Sequence, residues 1–255
     1  TKTPAVCVVF GAGTWYNIYT RNENACNNQQ GEPIMGFLKK FTKQEISLMM
    51  YDWANSAHSV IVVTILPIFF DSVASCTADS VSSMSTWGYA TSIAMAIVAL
   101  AAPFLGVFGD IRGMRKKLFT AFLLLGIVSV AGLAFTPLMD FTSSPAAASQ
   151  VTMLVLVLYI LSTIGFDASC IYYDAFLTDV TTEDRMDSVS TLGYGLGYIG
   201  GSTIPLLIFL IMNAVGVPML TCLGFIFGLT AVWWLVFSVP LLKNCEQTSG
   251  KPYKK

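Results

Sequence analysis

The chain has 255 residues, of which 55% are hydrophobic and 11% are charged, and its formal net charge is −1. Soluble domains contain about 25% charged residues, and a soluble protein could not supply a polar face to so many apolar helices with so few. The composition therefore excludes an ordinary soluble protein and predicts an all-α membrane protein.

Residues 1–34 differ in composition from the rest of the chain. They are polar and rich in Asn and Gln, which is typical of disorder, and no basic segment precedes an apolar core and a cleavage site, so no signal peptide is predicted. Met35 then opens the sequence MGFLKKFTKQE, typical of a cytosolic lead-in. We expect 1–34 to be a disordered extension, Met35 to be the natural start and 35–50 to be a cytoplasmic lead-in.

Five long stretches with few charges follow, and a helix needs about 20 apolar residues to cross the hydrocarbon core. Four of them can hold one span each. The fifth, between Asp187 and Lys243, can hold two spans separated near Gly216 and Pro218. The predicted helices 1 to 6 cover residues 51–71, 87–109, 118–139, 151–177, 190–213 and 218–242. The membrane region is thus expected over 51–242, with 243–255 as the start of a cytoplasmic linker.

The Lys and Arg residues around these helices lie on one predicted side of the membrane. They precede helix 1, occupy the loops between helices 2 and 3 and between helices 4 and 5, and follow helix 6, whereas the other three loops contain none. Positive residues stay on the cytoplasmic side, so both termini are predicted to be cytoplasmic. The basic residues therefore mark topology and not a nucleic-acid-binding surface. A vacuolar membrane and a plasma membrane both satisfy this rule.

Helix 1 begins with YDWANSAHSV, in which Asp52, Asn55, Ser56 and Ser59 recur at helical spacing and share one face. On an apolar helix this face should turn towards a water-filled cavity or a partner helix. Asp52 could instead serve as a favourable charge at the helix N-terminus. His58 could change charge near neutral pH, or it could simply make a hydrogen bond between helices.

Helix 4 contains FDASCIYYDAF, which places Asp167 and Asp174 two turns apart on one face, with the hydroxyl of Tyr173 beside them. A carboxylate inside a membrane is costly and suggests function, so Asp167 must have a partner or be protonated. It is a candidate proton carrier, and the alternative is a structural hydrogen bond between helices. Tyr51-Asp52 and Tyr173-Asp174 could occupy equivalent places in two repeats.

Helix 5 contains LGYGLGYIGG, in which Gly193, Gly197 and Gly201 are spaced four residues apart. Small residues at this spacing allow two helix backbones to approach closely. We therefore expect this face to be a packing surface, and it could also be the sliding surface of a rocking motion.

The loop between helices 2 and 3 reads GVFGDIRGMRKK. It resembles the signature loop of the major facilitator superfamily, in which a charge network latches the two halves of the transporter. The matching residues are Gly106, Asp110, Gly113, Arg115 and Lys116. Ile111 and Met114 stand where basic residues are usual, and Arg112 and Lys117 could offset them.

Three further motifs narrow the resemblance. YDWANSA, YYDAFLTDV and STLGYGLGYIGG are similar to the branch that contains the vacuolar amino-acid effluxer of the autophagy-related type and its bacterial relatives. They occur in the expected order and span residues 51–201. His58 stands where an aromatic residue is expected, so the resemblance assigns no role to it.

The resemblance implies one half of a major facilitator fold, built from two inverted three-helix repeats, in which helices 1 and 4 line a central cavity and their polar stripes face each other across it. It also implies a secondary transporter of small solutes that works by alternating access. Amino acids are the leading substrate, and Asp167 or Asp174 could couple transport to protons. The expected partners are the lipid bilayer and a second six-helix half, which is a missing C-terminal half or a second copy.

Two other classes compete with a transporter. A non-transporting membrane assembly or receptor subunit could keep the half-fold for contacts between helices, with helix 5 as its main surface. A membrane enzyme is not expected, because the sequence offers no nucleophile–base pair, no metal-ligand cluster and no cofactor motif.

Overall fold

The computed structural model describes residues 40–77 and 80–250, so the predictions for 1–34, Met35 and 251–255 lie outside it. Within the described residues, six helices are long and apolar enough to cross a membrane. This confirms the predicted fold class of an all-α membrane protein with six spans. The spans are α1 Lys43–Ala74, α2 Ser80–Gly109, α3 Arg115–Leu138, α4 Pro145–Val180, α5 Glu183–Ala214 and α6 Met219–Asn244.

The first helix starts well before the predicted position at residue 51. Thr42 and Glu45 form a capping box, in which the Thr42 hydroxyl accepts from the Glu45 amide and the Glu45 carboxylate accepts from the Thr42 amide. These bonds satisfy amides that the first helical turn leaves free, so α1 begins at Lys43. Helix α1 is interrupted at Ile65, just before Pro67 in the first turn of its second segment, Leu66–Ala74. A proline has no amide proton to donate to the preceding turn.

The other predicted helices lie largely within the observed ones, and most of the observed helices are longer. Helix α4 has 36 residues and starts after Ser144, whose hydroxyl accepts from the Ala147 amide. At 1.5 Å per residue it is about 54 Å long, which exceeds the roughly 30 Å of the hydrocarbon core. The prediction missed the ends because polar residues continue these helices beyond the apolar core. Helix α3 closes with a short 3₁₀ turn, Thr136–Leu138.

Helices from the first set of three pack against helices from the last set of three. Helix α1 packs along α5 and α6, whereas α4 packs along α2 and α3. The first helix of each set of three therefore lies against the second and third helices of the other set. This twofold pattern is consistent with half of a major facilitator fold.

Two apolar clusters fill the bundle. One surrounds Phe69, Phe70 and Phe227 near the α1–α2 connection. The other surrounds Tyr51, Phe119 and Trp234 nearer the termini of the described region. Helix α2 is the least buried of the six spans, because only 11% of its apolar 18-residue stretch is buried by the rest of the described chain. The apolar outer face of α2 is therefore exposed in the described chain. In a membrane, lipid or further helices would cover it.

Helices α3 and α4 touch through their backbones at Gly126 and Gly165. A Cβ atom placed on Gly165 would lie 2.6 Å from the Gly126 Cα and 2.8 Å from the Phe122 carbonyl oxygen. The Trp234 ring of α6 covers the same place, because a Cβ on Gly126 would lie 2.5 Å from its Cη2. Side chains at these positions would push three helices apart.

We expect Gly165→Ala to destabilise the bundle by about 1–3 kcal/mol, the usual cost of overpacking a tight contact. Gly88→Ala in α2 is the matched control, because a Cβ there has no neighbour within 4 Å, and it should be neutral or stabilising by up to about 1 kcal/mol. Thermal unfolding of the detergent-solubilised protein measures both. Equal losses of stability in the two variants would contradict the close contact between α3 and α4.

Candidate functional site

The first half of α1 carries a buried polar face that contacts α4. Asp52 is only 3% exposed and accepts a hydrogen bond from the Tyr173 hydroxyl at 2.6 Å. The hydroxyls of Tyr51 and Ser169 lie 2.8 Å apart, in hydrogen-bond contact. Asn55 continues the face by donating to the Cys170 sulfur at 3.8 Å. We call this line of contacts between α1 and α4 the polar seam.

The seam places three of the residues singled out from the sequence together, namely Asp52, Asn55 and Tyr173. From the sequence, the polar stripes of these helices are expected to face each other across a cavity. At these residues the two helices are instead in direct contact. Tyr51, noted in the sequence beside Asp52, also belongs to the seam. Ser169 was not singled out, since a lone serine in an apolar helix carries little signal.

The glycine face of α5 lies against the same part of α1. A Cβ on Gly193 would collide with the Asp52 carboxylate, and one on Gly197 would lie 2.6 Å from the Ser56 hydroxyl. A Cβ on Gly201 would lie 3.0 Å from the Ser56 Cβ. The three glycines therefore leave the room that the polar side chains of α1 occupy.

Helix α5 widens into a π-helical turn at Gly197–Ser202, and such turns often occur at functional sites. The turn lies beside Trp53, whose ring covers Gly200. Ser202 donates from its hydroxyl to the Ser56 carbonyl at 3.2 Å. From the other side, the Trp233 indole donates to the Trp53 carbonyl at 3.0 Å. These bonds hold the backbone of α1 between α5 and α6.

The remaining polar residues of the two stripes lie in different surroundings. Asp167 is half-buried, and one of its carboxylate oxygens is buried without a hydrogen-bond partner in the described chain. Asp174 is exposed, and Ser59 is half-buried. An unpaired buried oxygen is costly and calls for a proton, a water or a ligand. Asp167 is thus the acidic group of the site whose bonding the protein leaves incomplete.

His58 is buried between aromatic rings. Its ring centroid lies 4.7 Å from that of Phe166 and 4.9 Å from that of Trp234, and neither imidazole nitrogen has a hydrogen-bond partner among the described residues. The side chain therefore packs as an aromatic ring would. This environment gives His58 no described partner for proton transfer.

The first turn of α3 carries a buried ion pair. Arg115, 4% exposed, pairs with Asp179 at the end of α4 and donates to the Ala175 carbonyl at 2.9 Å. It also lies 3.5 Å from Asp110, which is 71% exposed in its side chain. Asp179 was missed by the sequence analysis, because nothing in its local sequence marks it as the partner of a residue 64 positions away.

Arg115 belongs to the signature loop predicted from the sequence, residues 106–117, which is here called the gating loop. Gly113 has a φ of 80°, a conformation that glycine adopts without strain. Arg112 is exposed and Lys116 is half-buried. A Cβ on Gly106 would have no neighbour within 4 Å. A Cβ on Gly109, which the sequence did not single out, would lie 2.8 Å from the Tyr172 ring. Gly109 is therefore the glycine at which α2 approaches α4 most tightly.

A second ion pair joins the start of α1 to the first turn of α5. Arg185 lies 2.9 Å from the Glu45 carboxylate, which also accepts from the Thr181 hydroxyl at 2.6 Å. Glu45 was read as part of a cytoplasmic lead-in. The Thr42–Glu45 spacing of a capping box was a readable signal that this residue is helical.

Comparison with known proteins identifies the family. The profile described as "Vacuole effluxer Atg22 like" matches residues 42–186, which include the seam, the gating loop and both ion pairs. The chain belongs to this Atg22-like family. The resemblance drawn from the sequence motifs is thereby confirmed.

The chain is also 40% identical over 218 residues to YxiO of Bacillus subtilis (strain 168), an uncharacterized MFS-type transporter. The match covers 82% of this chain and 48% of the relative, so the chain spans about half the length of that transporter. No solved structure matches the chain. Among the described residues, no three His, Cys, Asp or Glu side chains come together as a metal site.

We expect His58→Phe to leave thermal stability unchanged or to raise it, because phenylalanine keeps the ring packing and removes two unpaired nitrogens, each costing about 1–3 kcal/mol. His58→Ala is the control, and loss of the ring should lower stability by several kcal/mol, roughly as for other buried aromatic truncations. Thermal unfolding in detergent distinguishes them. A loss in His58→Phe as large as in His58→Ala would show that the imidazole nitrogens are bonded.

Proposed function

We propose that this chain forms one half of a secondary active transporter that moves amino acids by alternating access and couples their movement to protons through Asp167. The second half is a further six-helix unit, supplied by additional sequence or by a second copy. The protein lies in the vacuolar or plasma membrane with both ends of the described region cytoplasmic.

Transport as the general activity is supported by the family match and by the MFS-type relative. The half-fold supports alternating access, because such transporters rock one bundle against another around a central site. The description of the family as vacuole effluxers and the bacterial origin of YxiO support the two candidate membranes.

The distribution of charge supports an amino-acid substrate. The inner parts of α1 and α4 carry Asp52, Asp167 and Asp174, whereas Lys and Arg occur only near the ends of the described helices. These carboxylates suit the ammonium group of an amino acid. In this proposal, the second half of the transporter binds the substrate carboxylate.

The observation that carries the proton assignment is the unpaired buried oxygen of Asp167. Asp52 already accepts a hydrogen bond from Tyr173, and Asp174 is exposed. Of the three, Asp167 is the one with a buried carboxylate oxygen that has no hydrogen-bond partner among the described residues, and a proton would satisfy that oxygen directly. An ionised carboxylate without a partner is costly at this depth.

The test uses the full-length protein in proteoliposomes with an imposed pH gradient and a panel of radiolabelled amino acids. We expect Asp167→Asn to abolish accumulation driven by the gradient while exchange of substrate across the membrane continues, because asparagine cannot release a proton. Asp187→Asn is the matched control, since Asp187 is exposed near the start of α5 and should transport as the wild type does.

Unchanged gradient-driven accumulation in Asp167→Asn would refute the proton assignment. If the wild-type protein moves no amino acid with or without a gradient, the substrate assignment fails. If it moves no other small solute either, the non-transporting assembly becomes the better interpretation, and cross-linking between copies through α5 would then test that interpretation.

A further inference from the structure

The chain does not leave the bundle directly after α6. Residues 245–250, here called the return segment, run back across the gating loop at the cytoplasmic end. The Gln247 side-chain oxygen accepts from the amides of Gly113 at 2.8 Å and Arg115 at 3.3 Å. The Gln247 side-chain nitrogen donates to the Gly109 carbonyl at 3.0 Å. One side chain therefore bonds to three backbone groups of the loop.

The gating loop needs these bonds because α3 lacks a cap of its own. The residue before the helix is Met114, which makes no side-chain capping bond. The first amides of a helix have no partner within the helix, and Gln247 supplies one from 132 residues away. The first residue of α3 is Arg115, so the same bond fixes the backbone that carries the buried arginine.

Asp179 binds the next two residues of the return segment. One of its oxygens accepts from the Thr248 amide at 3.1 Å and hydroxyl at 2.9 Å, and from the Ser249 amide at 2.9 Å and hydroxyl at 2.7 Å. Its other oxygen pairs with Arg115. The Asp179 side chain is fully buried in these contacts, so it joins α4, the gating loop and the return segment at one point.

Both ends of the return segment are also constrained. Cys245 donates from its sulfur to the Gln44 carbonyl at 3.6 Å, next to the start of α1. Gly250 has a φ of 130°, and a Cβ there would lie 2.8 Å from the Asp110 carbonyl. The backbone conformation and the close approach both favour glycine at this position.

We propose that the return segment is a working part of the cytoplasmic gate, and that Gln247 is a positioning residue that holds Arg115 and the gating loop in place. The part of this inference that concerns gating rests on the proposed transport function. In this proposal, the gating loop depends on the return segment, which follows the last helix, for the hydrogen bonds that hold its backbone.

The test compares Gln247→Ala with the wild type by hydrogen–deuterium exchange in the full-length protein. We expect exchange at the amides of Gly113 and Arg115 to rise about fivefold to tenfold, the factor that corresponds to loss of one helix cap. Gln247→Glu keeps an oxygen that can accept from both amides but loses the bond to the Gly109 carbonyl, and it should restore part of the protection. The matched control is Glu246→Ala, an exposed neighbour that should leave exchange unchanged.

Transport by the same variants separates positioning from mere structural support. Gln247→Ala should lower the turnover rate severalfold with little change in KM, since the gate and not the substrate site is loosened, and Gln247→Glu should recover in part. Unchanged exchange at Gly113 and Arg115 would overturn the positioning role. Increased exchange with unchanged turnover would overturn the gating role.

If the wild-type protein transports nothing, the proposed function fails, but the gating role can still be tested. The alkylation rate of the native Cys170, which lies in the polar seam, then reports access from the cytoplasm and is measured on the isolated peptide by mass spectrometry. We expect Gln247→Ala to raise this rate at least threefold over Glu246→Ala. Equal rates in the two variants would overturn the gating role.

Discussion

The buried hydrogen bond between Asp52 and Tyr173 is the constraint on which the arrangement of the helices depends. Inside a membrane no water is available, so a polar side chain must be matched by another part of the protein. Asp52 therefore fixes α1 against α4. Its carboxylate also occupies the space above Gly193, which fixes α1 against α5. Asp167 lies on the same helix, α4, and one of its buried carboxylate oxygens has no partner among the described residues.

Helix α4 connects this seam to the starts of α1 and α3. Its last turns hold Asp179, which pairs with Arg115 of α3, and it is followed by Thr181, which binds Glu45 of α1. The starts of α1 and α3 are thus both tied to the end of α4. A displacement of one helix alone would break several of these bonds, so the proposed transport cycle would move the described helices together.

Hydrophobicity is a local property, so apolar runs were enough to predict six spans, and residue spacing was enough to find the polar face of α1. Helix ends were harder, because the polar turn at Lys43 resembles a loop in composition. Partners could not be predicted at all where they are remote. Asp52 and Tyr173 are 121 residues apart, and Arg115 and Gln247 are 132 apart. The aromatic surroundings of His58 likewise exist only after α4 and α6 have packed.

The most direct test of this account is disulfide formation between Asn55→Cys and the native Cys170 in membranes under mild oxidation. The polar seam places the side chains of these residues 3.8 Å apart, and helices in such contact can bring two cysteines within disulfide reach. The account predicts an efficient cross-link for Asn55→Cys and little or none for Ser59→Cys, one turn further along α1. Failure of Asn55→Cys to cross-link, with efficient cross-linking of Ser59→Cys, would contradict the packing of α1 against α4.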